Sequence, residues 1–212
     1  VVSGEAGDAI AIADLSGTLT SLTNTHTISA TISPTDDSDD TDDTDTDETN
    51  ETITGKAIAI DVSANTTGVT ITQTGVDDGD DGDDDVADTD TDGDGVDDAD
   101  EPAIVGEIRF GSGADSLSVL NGAVAGDISF GAGANSLTID GGATVTGALT
   151  ATGGTLALSV GDGALSISNV GVLNLTSLNL GASSTLMLTV DPDAGTYTKL
   201  DVAGAASLAS GA

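Results

Sequence analysis

One motif is written twice, back to back: GEIRFGSGADSLSVLNGAVA from Gly106 and GDISFGAGANSLTIDGGATV from Gly126. The copies agree at Gly, Ile, Phe, Gly, Gly, Ala, Ser and Leu in order, and then at Gly-Ala. A period of about twenty residues, built from short apolar runs punctuated by glycine, is the pattern of a chain that stacks one coil on the next. Within each copy the apolar residues alternate: Ile108 and Phe110, Leu117 and Val119, then Ile128 and Phe130, Leu137 and Ile139. Strand side chains alternate with period two, so each pair predicts a very short strand with one buried face. No stretch has helical periodicity, and the Leu and Asn offsets of a leucine-rich repeat are missing. The predicted fold is all-β, a single-stranded right-handed parallel β-helix (β-solenoid).

Composition agrees with a thin interior. The chain has two Phe, one Tyr and no Trp, so Ile, Leu, Val and Ala must fill the core. Such layers suit a narrow coil better than a globular core, which depends on large rings.

The rest of the chain extends the same pattern over one predicted domain, residues 1–212. GDAIAIADL from Gly7 and GKAIAIDVS from Gly55 open two longer coils, with Ile10, Ile12, Leu19, Leu22, Ile28 and Ile32 inward in the first. Ile58, Ile60, Val62, Val69 and Ile71 take those places in the second. Residues 106–146 hold the regular repeats, and 147–212 form looser coils with inward residues from Leu156 to Val202, including Val190. Asp191 to Gly195, DPDAG, reads as a tight turn. Both ends of the chain lie in repeat-like sequence and Val1 replaces an initiating Met, which predicts a processed or excised piece of a longer protein.

Two acidic insertions, 34–54 and 76–102, interrupt the coils and hold 25 of the 37 acidic residues. They are expected to leave the solenoid at comparable points of consecutive coils and to lie side by side. The second contains DTDGDGVDDADE, which fits a calcium-loop pattern without a mismatch. Asp90, Asp92 and Asp94 stand at positions one, three and five, Val96 offers a carbonyl, Asp98 stands at nine and Glu101 at twelve. That spacing wraps oxygens around one hard cation, so the predicted cofactor is structural Ca²⁺ rather than zinc or copper. A solvated acidic run would match by Asp density alone, but Gly95 and Glu101 fall where the loop demands them.

Charge narrows the partners. At a formal net charge of −34, with only Lys56, Arg109 and Lys199 positive, the chain repels nucleic acid and anionic membrane. No apolar run reaches the roughly twenty residues that a membrane-spanning helix needs. There is no cysteine, which excludes disulfides and thiolate chemistry. His26, the single histidine, lies in a Thr-rich run and reads as a surface residue rather than a general base. Lys56 and Arg109 could approach the acidic corner as in a polysaccharide lyase, yet three cations make no cleft for a uronate polymer, and no enzyme is predicted. Threonine rows such as Thr18/Thr20, Thr23/Thr25/Thr27 and Thr70/Thr72/Thr74 could order water as on ice-binding solenoids. They do not continue through the later coils at a fixed offset, so stabilising hydroxyl rows are the plainer reading.

The G-x-AIAI openings, the GxIxFGxGA(D/N)SL copies and the closing LMLTVDPDAGTYTKLDVAGAASL resemble the passenger region of bacterial autotransporters, a β-helix stalk ahead of an outer-membrane barrel. The resemblance covers nearly everything except the acidic insertions. It implies export across a bacterial outer membrane to the cell surface or exterior. The expected function is non-catalytic: a subunit of an extracellular filament or an adhesin stalk, self-associating head to tail through uncapped coil ends. A calcium-dependent module binding a surface glycan is the alternative.

Overall fold

A computed structural model describes residues 2–4, 7–32, 55–76, 90–91 and 96–210. Among these the molecule is all-β, without helices, and its parallel pairing is consistent with a β-solenoid. The chain returns to the same sheet at every third strand, giving three faces that we number in chain order. The first coil contributes Ala9–Ala13, Ser21–Asn24 and Thr27–Ile32 to faces one, two and three. The second contributes Ala57–Asp61, Thr70–Gln73 and Ala103–Val105. The third coil holds Glu107–Arg109, Ser116–Val119 and Ala123–Ala125, and the fourth Ile128–Phe130, Gly133–Ile139 and Thr144–Gly147. The fifth and sixth follow the same order, and Thr196–Val202 and Ala206–Leu208 begin a seventh.

Register follows the sequence repeat. Leu117 pairs with Leu137, Leu137 with Leu158, and Leu158 with Leu178 along face two. Like side chains therefore stack in columns: Ile60, Ile108, Ile128 and Leu149 form one on face one. All these column residues are buried. Phe110 lies flat against Phe130, ring centres 4.8 Å apart at an interplanar angle of 3°. The two phenylalanines thus fill equivalent places in consecutive coils, which is how a core can be dense with so few rings.

The structure departs from the sequence reading in four respects. The acidic stretches do not leave from comparable points. The first lies between the face-three strand of the first coil and the face-one strand of the second; the other lies between faces two and three of the second coil. They belong to different corners, because Ala103–Val105 pairs with Thr27–Ile32 on face three and so completes the coil only after the second insertion. One hydroxyl row, in turn, runs on at fixed register through the fifth coil and gives way to Asn179 in the sixth. Thr23, Thr72, Ser118, Thr138, Ser159 and Asn179 are successive register partners on the outer side of face two. Serine continues what threonine begins, and Ser136 and Ser116 hydrogen-bond at 3.1 Å in the neighbouring row. Ile10 and Leu188 are 37% and 40% exposed rather than inward. Val190, 68% exposed, belongs to a short antiparallel hairpin in which Val190–Asp191 pairs with Thr196 and Tyr197. The turn itself is as predicted: the Asp191 carboxylate accepts from the amides of Asp193 and Ala194, and Gly195 has φ +65°.

Face one is interrupted once. After Leu149–Ala151 the ladder ends, and Gly171–Leu175 pairs instead with Thr196–Val202. The Asn169 side chain bridges the gap: it accepts from the Leu149 amide at 2.9 Å and donates to the Leu149 carbonyl at 3.3 Å. A carboxamide thus does what the peptide of a neighbouring strand would do.

Candidate metal centre

The predicted calcium loop, 90–101, sits at the corner between faces two and three of the second coil. Its return into the coil is firmly anchored. The amide of Ala103 donates to the carbonyl of His26 in the coil before, and the carbonyl of Pro102 accepts from Ala123 in the coil after. Gln73, the last residue of the face-two strand, is fully buried, and its side-chain nitrogen donates to the carbonyls of Pro102, Asn121 and Ala123 at 2.9–3.2 Å. Its oxygen accepts from the Asn24 carboxamide at 3.1 Å. Burying a glutamine here is favourable because each of these polar groups has a partner; an apolar side chain would strand the carbonyls.

Val96 is the buried residue of the loop. It is 8% exposed and lies so close over Gly75 that a Cβ there would stand 2.6 Å from its Cγ2. This apolar peg holds position seven of the motif against the corner. Across the loop, the Thr91 amide and hydroxyl donate to the two oxygens of Asp98 at 2.9 and 2.6 Å. Those bonds, the hydroxyl first, hold the Asp98 carboxyl below the usual aspartate range. The amide of Asp100 donates to the carbonyl of Asp97, closing a turn before the chain re-enters the coil.

Of the six predicted ligands, Asp90 and Asp98 are exposed, Glu101 is half-buried and Val96 is buried, while Asp92 and Asp94 lie outside the described residues. Among the described residues no three acidic, His or Cys side chains converge on one point. The available donors are all oxygen atoms, the chemistry a hard divalent cation takes. The described residues on either side of the motif's centre are tied to each other by the Thr91–Asp98 bonds and to the neighbouring coils through Pro102 and Ala103.

The cations lie elsewhere. Lys56 and Arg109 both project from face one, where Glu107 receives them at 3.4 and 2.7 Å; Arg109 also reaches Asp61, its register partner, at 3.9 Å. The hydrogen bond from Arg109, ahead of the charge effects, lowers the Glu107 carboxyl below its ordinary range. Lys199 pairs with Asp201 at 3.6 Å. This cross-strand ladder engages Lys56 and Arg109 with Glu107 and Asp61 on face one. His26 is exposed and its Nδ1 meets the Thr25 hydroxyl at 3.0 Å.

The first corner, between faces one and two, holds residues that motif reading passed over. Asn65, Asp115 and Asn135 are buried there, and Asp115 and Asn135 stand one above the other. For Asp115 and Asn135 the one signal was the Asp/Asn alternation in the GA(D/N)SL copies. Among the described residues no helix is long and apolar enough to cross a membrane. No family model, no curated protein and no solved structure matches this chain.

Proposed function

We propose that the protein is a structural element of a bacterial cell surface or extracellular filament: a right-handed β-solenoid that extends by adding coils and associates head to tail. The observation that carries this reading is the in-register stacking of like side chains, which ends on open strands at both limits of the described structure. Ile10 in the first coil and Leu208 in the last are 37% and 66% exposed, whereas their register neighbours Ile58 and Leu180 are buried. Half-open apolar layers beside outermost strands are surfaces on which another coil can pair and pack. A second copy offers the same three-faced pattern, and a heterologous contact of this kind repeats without closing. Right-handed winding is supported by the strong steric preference of parallel crossover connections. Export to the exterior rests on the autotransporter-like motifs and on the acidic surface.

Calcium in the loop 90–101 stiffens the second coil and screens the acidic corners. Titrating the full chain with Ca²⁺ by calorimetry should show binding that Asp90→Asn with Glu101→Gln abolishes. Heat-neutral titrations of the unaltered chain would overturn the calcium part. For assembly, sedimentation and electron microscopy should show concentration-dependent linear polymers that Leu208→Asp disperses into folded monomers. A chain that stays monomeric at every concentration would overturn the head-to-tail part.

A further inference from the structure

The first corner contains an ionisable group whose surroundings suit only its neutral form. Asp115 is 1% exposed. Its Oδ1 accepts from the Val69 amide at 2.8 Å, and its own amide donates to the Asn135 carboxamide oxygen at 3.0 Å. Oδ2 is buried with no protein donor in reach. Asn135 occupies the same place one coil later, since Ser116 and Ser136 are register partners. There the atom corresponding to Oδ2 is the Asn135 side-chain nitrogen, which donates to the carbonyls of Gly131 and Gly133 at 3.2 and 3.5 Å. The repeat sets Gly111 and Gly113 where Gly131 and Gly133 stand, so the environment of Oδ2 is written for a donor.

We propose that Asp115 is built into this corner as a neutral carboxylic acid, its Oδ2 hydroxyl donating to the glycine carbonyls, and that its ionisation loosens the joint between the second and fourth coils.

A cation could also satisfy a buried carboxylate, but space decides against it. A Cβ at Gly113 would overlap the backbone of Thr67 and Gly68, and one at Gly131 would overlap the Gly111 carbonyl. Six to eight oxygens around calcium do not fit in such a contact, whereas a proton requires no volume. The groups that face Asp115 are the Val69 amide and the Asn135 carboxamide, and among the described residues no charged side chain bears on it. Burial accordingly raises its carboxyl, with the Val69 amide opposing. An acid raised in the fold favours folding at low pH: its contribution is complete below the unfolded value and is lost as pH rises toward the folded one.

The test compares the full chain with Asp115→Asn, which writes into the third coil what the fourth already has, and with Asp162→Asn, which removes an exposed charge. Thermal midpoints are read from about pH 4 to about pH 8. Asp115→Asn should gain over the unaltered chain as pH rises, by several °C more than Asp162→Asn on the order expected for a buried group. Equal gains for the two variants would overturn the proposal. Should Asp115→Asn not fold, the ¹³C titration of the Asp115 carboxyl in the unaltered chain decides: a midpoint above those of the exposed aspartates supports the proposal, and one among them overturns it.

Discussion

Gly133 shows how tightly single residues are constrained in this stack. Its φ is +105°, and a Cβ added there would strike the carbonyl of Gly113 in the coil below. Gly133→Ala should therefore lower stability by about 1–3 kcal/mol for the backbone conformation alone, read as a shift in the urea midpoint. Glycine at this place was legible from the two aligned copies, but the reason, a neighbouring coil's carbonyl, was not. The same holds for Asp115: one sequence carries Asp and Asn at equivalent positions without showing that the site is closed to water. Glu107 makes the opposite electrostatic case. Its carboxyl is lowered by Arg109, so its contribution is present above the ordinary glutamate range and disappears as pH falls through the depressed value. Glu107→Gln should accordingly weaken the protein at neutral pH and converge with it in acid, which thermal scans across that range will measure.

For the strands, alternation in short runs was enough to locate the inward residues named between Ile58 and Leu180, because a buried position in one coil stands over a buried position in the next. It missed Leu149 and the face-three column of Ile104, Val124 and Val145, whose strands bury one large apolar residue each. Where that logic fails, a local device intervenes. Val190 keeps the alternation of Leu186 and Leu188, but Leu188 is already exposed and Val190 is drawn outward by the hairpin that Asp191 nucleates. The break in face one after Ala151 has no hydrophobic signature, since a side-chain amide rather than a strand closes it. Asn169→Ala should leave the Leu149 amide and carbonyl without their partner and cost about 1–3 kcal/mol. Hydrogen exchange should show the loss as faster exchange at Leu149. Unchanged exchange there would mean that another group takes over the bridge.

Across the whole molecule, regular coils advance by 20 or 21 residues, as Ser116 to Ser136 and Ser136 to Ala157 show. The first two coils advance by 48, from Ala9 to Ala57 and from Ile60 to Ile108. Yet face-two pairing continues without a shift from Ser21 through Thr70 to Ser116. The extra chain is thus accommodated at corners and leaves this ladder alone. Exchanging residues 33–54 for a short glycine- and asparagine-containing link removes ten acidic residues and should leave the β-sheet circular dichroism unchanged. Its thermal midpoint should rise at low salt and approach the unaltered chain's as salt is added, because screening abolishes the repulsion that the excision removes. A loss of sheet signal would show that the acidic stretch participates in the stack.

The placement of those two stretches at different corners has a spatial corollary. Viewed down the long axis, the described residues that flank them stand on different edges of the stack, as two mounting points on one post. A ligand grasped by one need not compete for room with a ligand grasped by the other. Cargo grafted at either mounting point should ride on the same post while its companion stays vacant for a second load.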